Sequence, residues 1–434
     1  MNSSSYKELE EPLKLIHKKF VSLDEREVRE TKPLVRQVLV LLVTYMKEAD
    51  DIFRELFYGL YFGGSFYHNL KIQNPDEFDI DFLLALPKCS ECKILNCKCV
   101  EVEPGHVAGF LKFSLKRRFS PKFYEKFCLK GKVQSNLVFN WIKSLVCKAL
   151  YRFKTEKHRI GTNDFWAVTP TTEISLYTEC QPAVKICIKK GQKIIYADLA
   201  AAFRLDEHYW PGKSKSNSGF RSNPTNVKQF SIVPFCPKGC NGYWRPSFQA
   251  QEKLIISGKQ TLKPALRLVK IMKSNLNHSV SSYVLKTLIL QEADTFDWKN
   301  VCISDAFMFL LKKYVQCLKQ GRVEYYWHKD VNLLDYMKKT TITNHCNEVV
   351  KLYLKIENGS KLNPLVAAEV ILKQSSDYQI FITEWMIWKS QLYKKQISYI
   401  ENKGVSSVGK QQFDGLRNVL DFFVTMANKK TLLV

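Results

Sequence analysis

Residues 63–84, GGSFYHNLKIQNPDEFDIDFLL, place carboxylates where the chain also reads as an extended, half-buried strand. Alternate side chains of a strand share a face, so Glu77, Asp79 and Asp81 point one way and Phe78, Ile80 and Phe82 the other. The apolar set suits a core and the acidic set a cleft. Carboxylates held this close repel one another unless a cation lies between them, and hard divalent ions such as Mg2+ or Mn2+ take oxygen ligands. A bare E-x-D is also what a solvated strand face beside lysines looks like. Gly63, Gly64 and Ser65 just upstream favour the first reading. Glycines let backbone N–H groups approach a phosphate and the serine hydroxyl adds a donor, so loop and strand together describe a metal-bound polyphosphate. Two-metal phosphoryl transfer needs a third carboxylate from a neighbouring strand. The candidate is Asp198, which interrupts the otherwise apolar KIIYADLAAAF; the alternative is a helix cap or a strand-end turn residue.

The elements that would position these groups follow from apolar periodicity. Val35, Val38, Leu39, Leu42, Met46 and Phe53 recur mostly three or four apart, predicting an amphipathic helix over about 34–57 that runs straight into the glycines. AGFLKFSL, PAVKICI and KIIYADLAAAF read as strands, and 133–154 as a helix. The Gly-, Pro-, Ser- and Lys-rich segment 211–226 marks a mobile loop or lobe junction, beyond which the chain reads as helix after helix, with no solenoid repeat.

A chain of 434 residues calls for two or three packed units. A formal charge of +24, from 66 Lys and Arg against 42 Asp and Glu, exceeds what solubility needs and predicts a polyanionic partner. VLVLLVTYM at 38–46 is too short to span a bilayer and the first residues lack a signal-peptide shape, so the expectation is a soluble cytoplasmic protein whose 13 cysteines are free thiols or metal ligands. Cys89, Cys92, Cys97 and Cys99 have a spacing that could enclose Zn2+, though reduced thiols in a loop are favoured; Cys236 and Cys240 form a second pair on the same terms. Lys116, Arg117, Arg118, Lys122, Lys126, Lys130 and Lys132, then Lys143, Lys148, Arg152, Lys154, Lys157 and Arg159, are candidate phosphate contacts for a nucleic acid, against the plainer reading of a solvated charged face.

The order helix, GGS, short connection, E-x-D resembles the polymerase-β-like nucleotidyltransferases. With QPAVKICI, YADLAAAF, YWRPSFQAQEKLI, LRLVKIMK and VSSYVLKT, it resembles more narrowly the cyclic GMP-AMP synthase (cGAS)-like receptors of animals, over roughly residues 35–335. The resemblance implies an α+β, bilobed enzyme: a nucleotidyltransferase core lobe (1–209), a helical lobe (210–335) and a helical extension of unknown role (336–434). Such an enzyme makes a cyclic dinucleotide from ATP and GTP in antiviral signalling once a nucleic acid is bound. Carried over residue by residue, Glu77, Asp79 and Asp198 match the catalytic metal ligands for Mg2+ or Mn2+, and Ser65 the serine on nucleotide phosphate. Arg245 matches the reader of the acceptor purine, with Ser247 and Glu252 in the same pocket. Lys273 matches a phosphate-binding lysine, Ser282 and Tyr283 the donor-nucleotide clamp, and Lys270 a ligand-side lysine. Asp81 falls outside the triad and is expected to support it. The zinc-binding insertion of the vertebrate DNA sensor is missing, since EKLIISGKQTLKPALRLVKIMK has no His or Cys. That implies the insect-type relatives, with double-stranded RNA rather than DNA as activator and oligomerisation on the ligand as a possibility. The alternatives are a catalytically silent nucleic-acid-binding or scaffold relative and a linear oligoadenylate synthase.

Overall fold

The computed structural model describes residues 6–86, 99–117, 120–156, 169, 171–180, 182–213, 218–235, 237, 239, 241–372, 376–403, 414–422 and 424–425. Helix α1 (Glu10–Ile16) precedes the long α2 (Glu25–Ala49). Asp24 caps α2 by accepting from the backbone N–H of Arg26 and Glu27, and Leu34, Val35, Val38, Leu39, Leu42 and Met46 bury its inner stripe. The helix expected to reach residue 57 is in fact two. Asp50 leaves the helical conformation and caps the short α3 (Asp51–Leu56), whose Phe53 N–H it accepts at 2.8 Å. A strand, β1 (Phe57–Gly63), then intervenes before the glycines, and its aromatic run FYGLYF is what the periodicity concealed.

After α4 (Gly64–Tyr67) come β2 (Glu77–Leu84), β3 (Val100–Pro104), β4 (Leu111–Leu115), α5 (Pro121–Phe127), β5 (Cys128–Leu129), β6 (Lys132–Val133) and α6 (Ser135–Thr155). The strands β7 (Glu173–Cys180), β8 (Ala183–Lys190) and β9 (Lys193–Asp206) follow, then β10 (Gln229–Val233) and β11 (Tyr243–Ser247). These strands form one mixed 11-stranded sheet. In it β9 runs parallel to β2 along one edge and antiparallel to β8 and β10 along the other. The sheet's buried side chains, among them Phe78, Phe82, Phe113, Phe203 and Trp244, join α2 and α6 in one core.

The remaining elements are mostly helical: α7 (Gln249–Ile255), α8 (Leu262–Asn275), α9 (Ser282–Gln291), α10 (Ile303–Gln320), the hairpin β12 (Glu324–Tyr325) and β13 (His328–Asn332), then α11 (Lys339–Gly359), α12 (Val366–Ile371) and α13 (Ser376–Lys403). The α+β bilobed class holds. The sheet continues past residue 209 through β10 and β11, short five-residue strands that carry too little period to stand out among helices. Pro246 is tolerated within β11 because pairing to β4 uses only Tyr243 and Trp244, leaving one edge of the strand free there. At the other end of the chain, α1 packs with α10, α12 and α13 rather than with the sheet, and its Glu10 accepts from Ser304 at the start of α10. No helix among the described residues is long and apolar enough to cross a membrane.

Candidate active site

Strand register builds the acidic wall. Asp79 of β2 lies beside Asp198 of β9, Asp198 lies opposite Lys185 of β8, and Gly63 of β1 lies opposite Asp79. Four adjacent strands thus present a glycine, two carboxylates and an ammonium in one row, with Glu77 two residues along the same face of β2. Asp198 is a strand-interior residue, neither a cap nor a turn.

The electrostatics are those of a site short of positive charge. Burial, then Glu77, raises Asp79 above its ordinary value; burial, opposed by Lys185, with repulsion from Asp79 and Glu77, lifts Asp198 to about 6. Burial also pushes Glu77 up, but Lys71 and Lys185 outweigh it and hold this carboxyl below the usual range. Lys185 Nζ lies 3.1 Å from Glu77 Oε1 and 3.5 Å from Asp198 Oδ2, and Lys71 Nζ lies 2.9 Å from Asp76 and 3.2 Å from Glu77. Lysine ammonium groups therefore stand among the carboxylates where a hard cation would be attracted. Glu77, Asp79 and Asp198 are oxygen donors of the kind Mg2+ or Mn2+ takes, although in this lysine-paired state no three acidic, His or Cys side chains among the described residues converge closely enough to hold an ion.

The glycine loop is shaped around this wall. Gly64 has φ +68°, and a Cβ on it would stand 1.6 Å from Asp79 Oδ2, so only glycine lets the turn close over that carboxylate. Gln249 ties the loop to the strand: its Oε1 accepts from Gly64 N–H at 2.8 Å while its amide donates to Asp81 Oδ2 at 3.2 Å. Asp81, buried and lifted to about 7 by burial and by Asp79, therefore holds the loop rather than facing the cleft.

A cleft of about 770 Å3 opens in front of this wall. Ser65, Glu77 and Asp79 line it from the core lobe, Arg245, Ser247 and Glu252 from the junction, and Lys273, Ser282 and Tyr283 from the helical lobe; Asp198, although paired in register with Asp79, is not among the lining residues. Arg245 sits on β11 with its guanidinium 4.8 Å from the centre of the Phe235 ring. Glu252, only 3% exposed, is saturated: Tyr283 Oη donates to it at 2.5 Å, Trp327 Nε1 at 3.0 Å, and Lys286 pairs with it. It fixes the clamp tyrosine rather than offering a free carboxylate. Lys273 donates to the Val280 carbonyl at 2.7 Å, on the turn that precedes Ser282 and Tyr283.

Lys270, matched to a ligand-side lysine, is 7% exposed, lines the cleft and is bonded to the Leu70 carbonyl at 2.7 Å, and burial followed by Lys71 and Lys273 lowers it to about 8. The basic runs are also partly spent: Arg117 pairs with Glu125, Lys126 with Asp50, and Arg152 with Glu48 and Glu156. Arg118, Lys157, Arg159, Cys89, Cys92, Cys97, Cys236 and Cys240 lie outside the described residues; Cys99 is buried beside the start of β3, and Cys128, Cys147, Cys187, Cys302, Cys317 and Cys346 are free thiols.

Lys71, Lys185, Gln249, Lys286 and Tyr325 escape a linear reading. Lys185 alone left a signal, being the polar partner of Val184 and Ile186 on an alternating strand.

Residues 66–258 match the Mab-21 protein nucleotidyltransferase domain and 261–351 the Mab-21 protein HhH/H2TH-like domain. A cyclic GMP-AMP synthase-like receptor of Tribolium castaneum is 32% identical over 375 residues, covering 81% of this chain and 89% of that one. Another, of Aethina tumida, is 30% identical over 378 residues, covering 83% and 90%. A cyclic GMP-AMP synthase-like receptor 3 of Stylophora pistillata is 23% identical over 354 residues, covering 77% and 92%. With its two lobes, its row of carboxylates and these relatives, the chain belongs to the Mab-21 nucleotidyltransferase family, among the cyclic GMP-AMP synthase-like receptors.

Proposed function

We propose that this chain joins ATP and GTP into a cyclic dinucleotide, by two successive nucleotidyl transfers, when double-stranded RNA is bound. The observation that carries this reading is the lateral row Gly63, Asp79, Asp198 and Lys185 across four paired strands, of which Asp79 also lines a nucleotide-sized cleft. Glu77, Asp79 and Asp198 would hold divalent ions, which when bound supply charge neutralisation at the triphosphate and activation of the attacking hydroxyl.

The protein's own groups do the remainder. Ser65 brings its hydroxyl to the phosphates of the donor, and Lys273 adds an ammonium from the helical side. Tyr283, pinned through its hydroxyl to Glu252, offers a ring face for base stacking. Arg245 offers a planar fork of donors for the acceptor purine. With both nucleotides so oriented, a ribose hydroxyl of one attacks the α-phosphorus of the other in line, forming a phosphodiester bond while the bond to pyrophosphate breaks. Turnover of the linear product in the same cleft allows the second transfer to close the ring. The net positive charge supports a polyanionic activator.

The test is purified protein with ATP, GTP and Mg2+ or Mn2+, with and without long double-stranded RNA or DNA, the products being separated and digested to locate their linkages. An RNA-dependent cyclic product that disappears in Glu77→Ala/Asp79→Ala is expected. RNA binding without any nucleotide product, or product formation that survives the double substitution, would overturn the reading.

A further inference from the structure

We propose that Lys71 is the positioning residue through which RNA phosphates release Glu77 for its divalent ion; this rests on the nucleotidyltransferase reading of the carboxylate wall. Beside the 65–71 turn lies a second cavity of about 580 Å3, lined in part by Phe66, Tyr67, Asn69 and Lys71. Arg29 and Lys32 of α2, Lys253 of α7, Arg267 of α8 and Lys71 line it, with Glu25 its one acid among the described lining residues. These cations come from four separate stretches of chain and form a phosphate-attracting groove that no single charge run announces.

Among the described residues Lys71 alone lines both this groove and the nucleotide cleft. Its backbone is fixed. The N–H groups of Leu70 and Lys71 donate to the Ser65 carbonyl at 2.7 and 3.0 Å, Arg267 donates to the Asn69 carbonyl, Lys270 to the Leu70 carbonyl, and Gln73 N–H to the Val21 carbonyl. Asn69 and Gln73, at φ 59° and 62°, bracket it in left-handed turns. The main chain is thus held while the ammonium rides on a flexible four-carbon stem. In this state the ammonium is spent on Asp76 at 2.9 Å and Glu77 at 3.2 Å.

Phosphates entering the groove compete for the same ammonium. When they win, Glu77 loses one of its two lysine partners, the carboxylate wall becomes more negative, and its attraction for a divalent cation rises. Lys185, which does not line the groove, keeps its place on Glu77 and Asp198 and is the built-in control.

Coupling of this kind is reciprocal, so it can be read from RNA affinity in EDTA, with no metal and no turnover. Fluorescence anisotropy with a labelled RNA duplex is measured for the full-length wild type, Glu77→Gln, Lys71→Met and the double variant. Glu77→Gln is expected to tighten RNA binding about fivefold in the wild-type background and not at all in the Lys71→Met background. Without RNA, Lys71→Met is expected to bind Mn2+ about tenfold more tightly by electron paramagnetic resonance. An equal effect of Glu77→Gln in both backgrounds, or an unchanged Mn2+ affinity in Lys71→Met, overturns the coupling. Should Lys71→Met fail to fold, Lys71→Gln removes the same charge. Mn2+ binding that persists in Glu77→Ala/Asp79→Ala instead overturns the metal-site reading itself, so the two failures are distinguishable.

Discussion

The two walls of the cleft are built on different principles. The carboxylate wall is made by strand register: Asp79, Asp198 and Lys185 are neighbours because their backbones are hydrogen-bonded neighbours, and side-chain contacts come second. The opposite wall is made by side chains reaching between helices: Glu252 of α7 gathers Tyr283 and Lys286 of α9 and Trp327 of the β12–β13 hairpin. The first wall is stiff and electrostatically unsatisfied; the second is satisfied and depends on a single buried anion. On the proposed function, catalytic charge therefore sits on the part least able to relax, and nucleotide selection on a part that one substitution can loosen.

Gly64→Ala should be the sharpest way to break the first wall without touching a carboxylate. The added methyl meets Asp79 at an impossible distance and the residue must keep a positive φ, so transfer is expected to fall by about 10²-fold or more while circular dichroism shows the fold retained. Glu252→Gln tests the second wall. It leaves Lys286 buried without its counter-ion, and a loss of about 3 kcal/mol in denaturant unfolding is expected, together with a rise in KM for the stacked nucleotide larger than the fall in kcat. If kcat fell alone, Glu252 would belong with the chemistry rather than with the clamp.

The smallest expected effect lies between the walls. His68 is 1% exposed with neither ring nitrogen hydrogen-bonded, and burial, followed by Lys286, Lys253 and Lys263, lowers it to about 3. The unfolded chain therefore takes up a proton near pH 6.5 that the folded one refuses, and stability present above pH 6.5 is lost as pH falls toward 3. His68→Leu should flatten that acid limb, lifting the melting temperature near pH 5 by about 2 °C relative to its effect at pH 7.5. Parallel pH profiles for the two proteins would show that His68 does not carry the limb.

The contrast between the walls also explains what a linear reading reaches. Glu77 and Asp79 announce themselves because period-2 alternation sorts acidic from apolar residues within six positions, and Asp198 because one carboxylate interrupts an apolar strand. Their adjacency, however, requires the parallel pairing of β2 with β9, which links residues far apart in sequence. Lys71 and Lys185 looked like ordinary lysines because their meaning lies in partners on other strands and turns. Strand β1 was hidden because FYGLYF continues the apolar character of the helices before it, and β10 and β11 because five residues give too short a period among helices. The helix break at Asp50 was readable in principle, since an aspartate followed by Asp-Ile-Phe is a capping sequence.

The most direct test of the central claim is to locate a metal rather than to lose an activity. Crystals grown with Mn2+ and a non-hydrolysable ATP analogue should show anomalous scattering at a position bound by carboxylate oxygens of both Asp79 and Asp198, with the Lys185 ammonium moved off it. Manganese held by β2 alone, with Asp198 still paired to Lys185, would contradict the account.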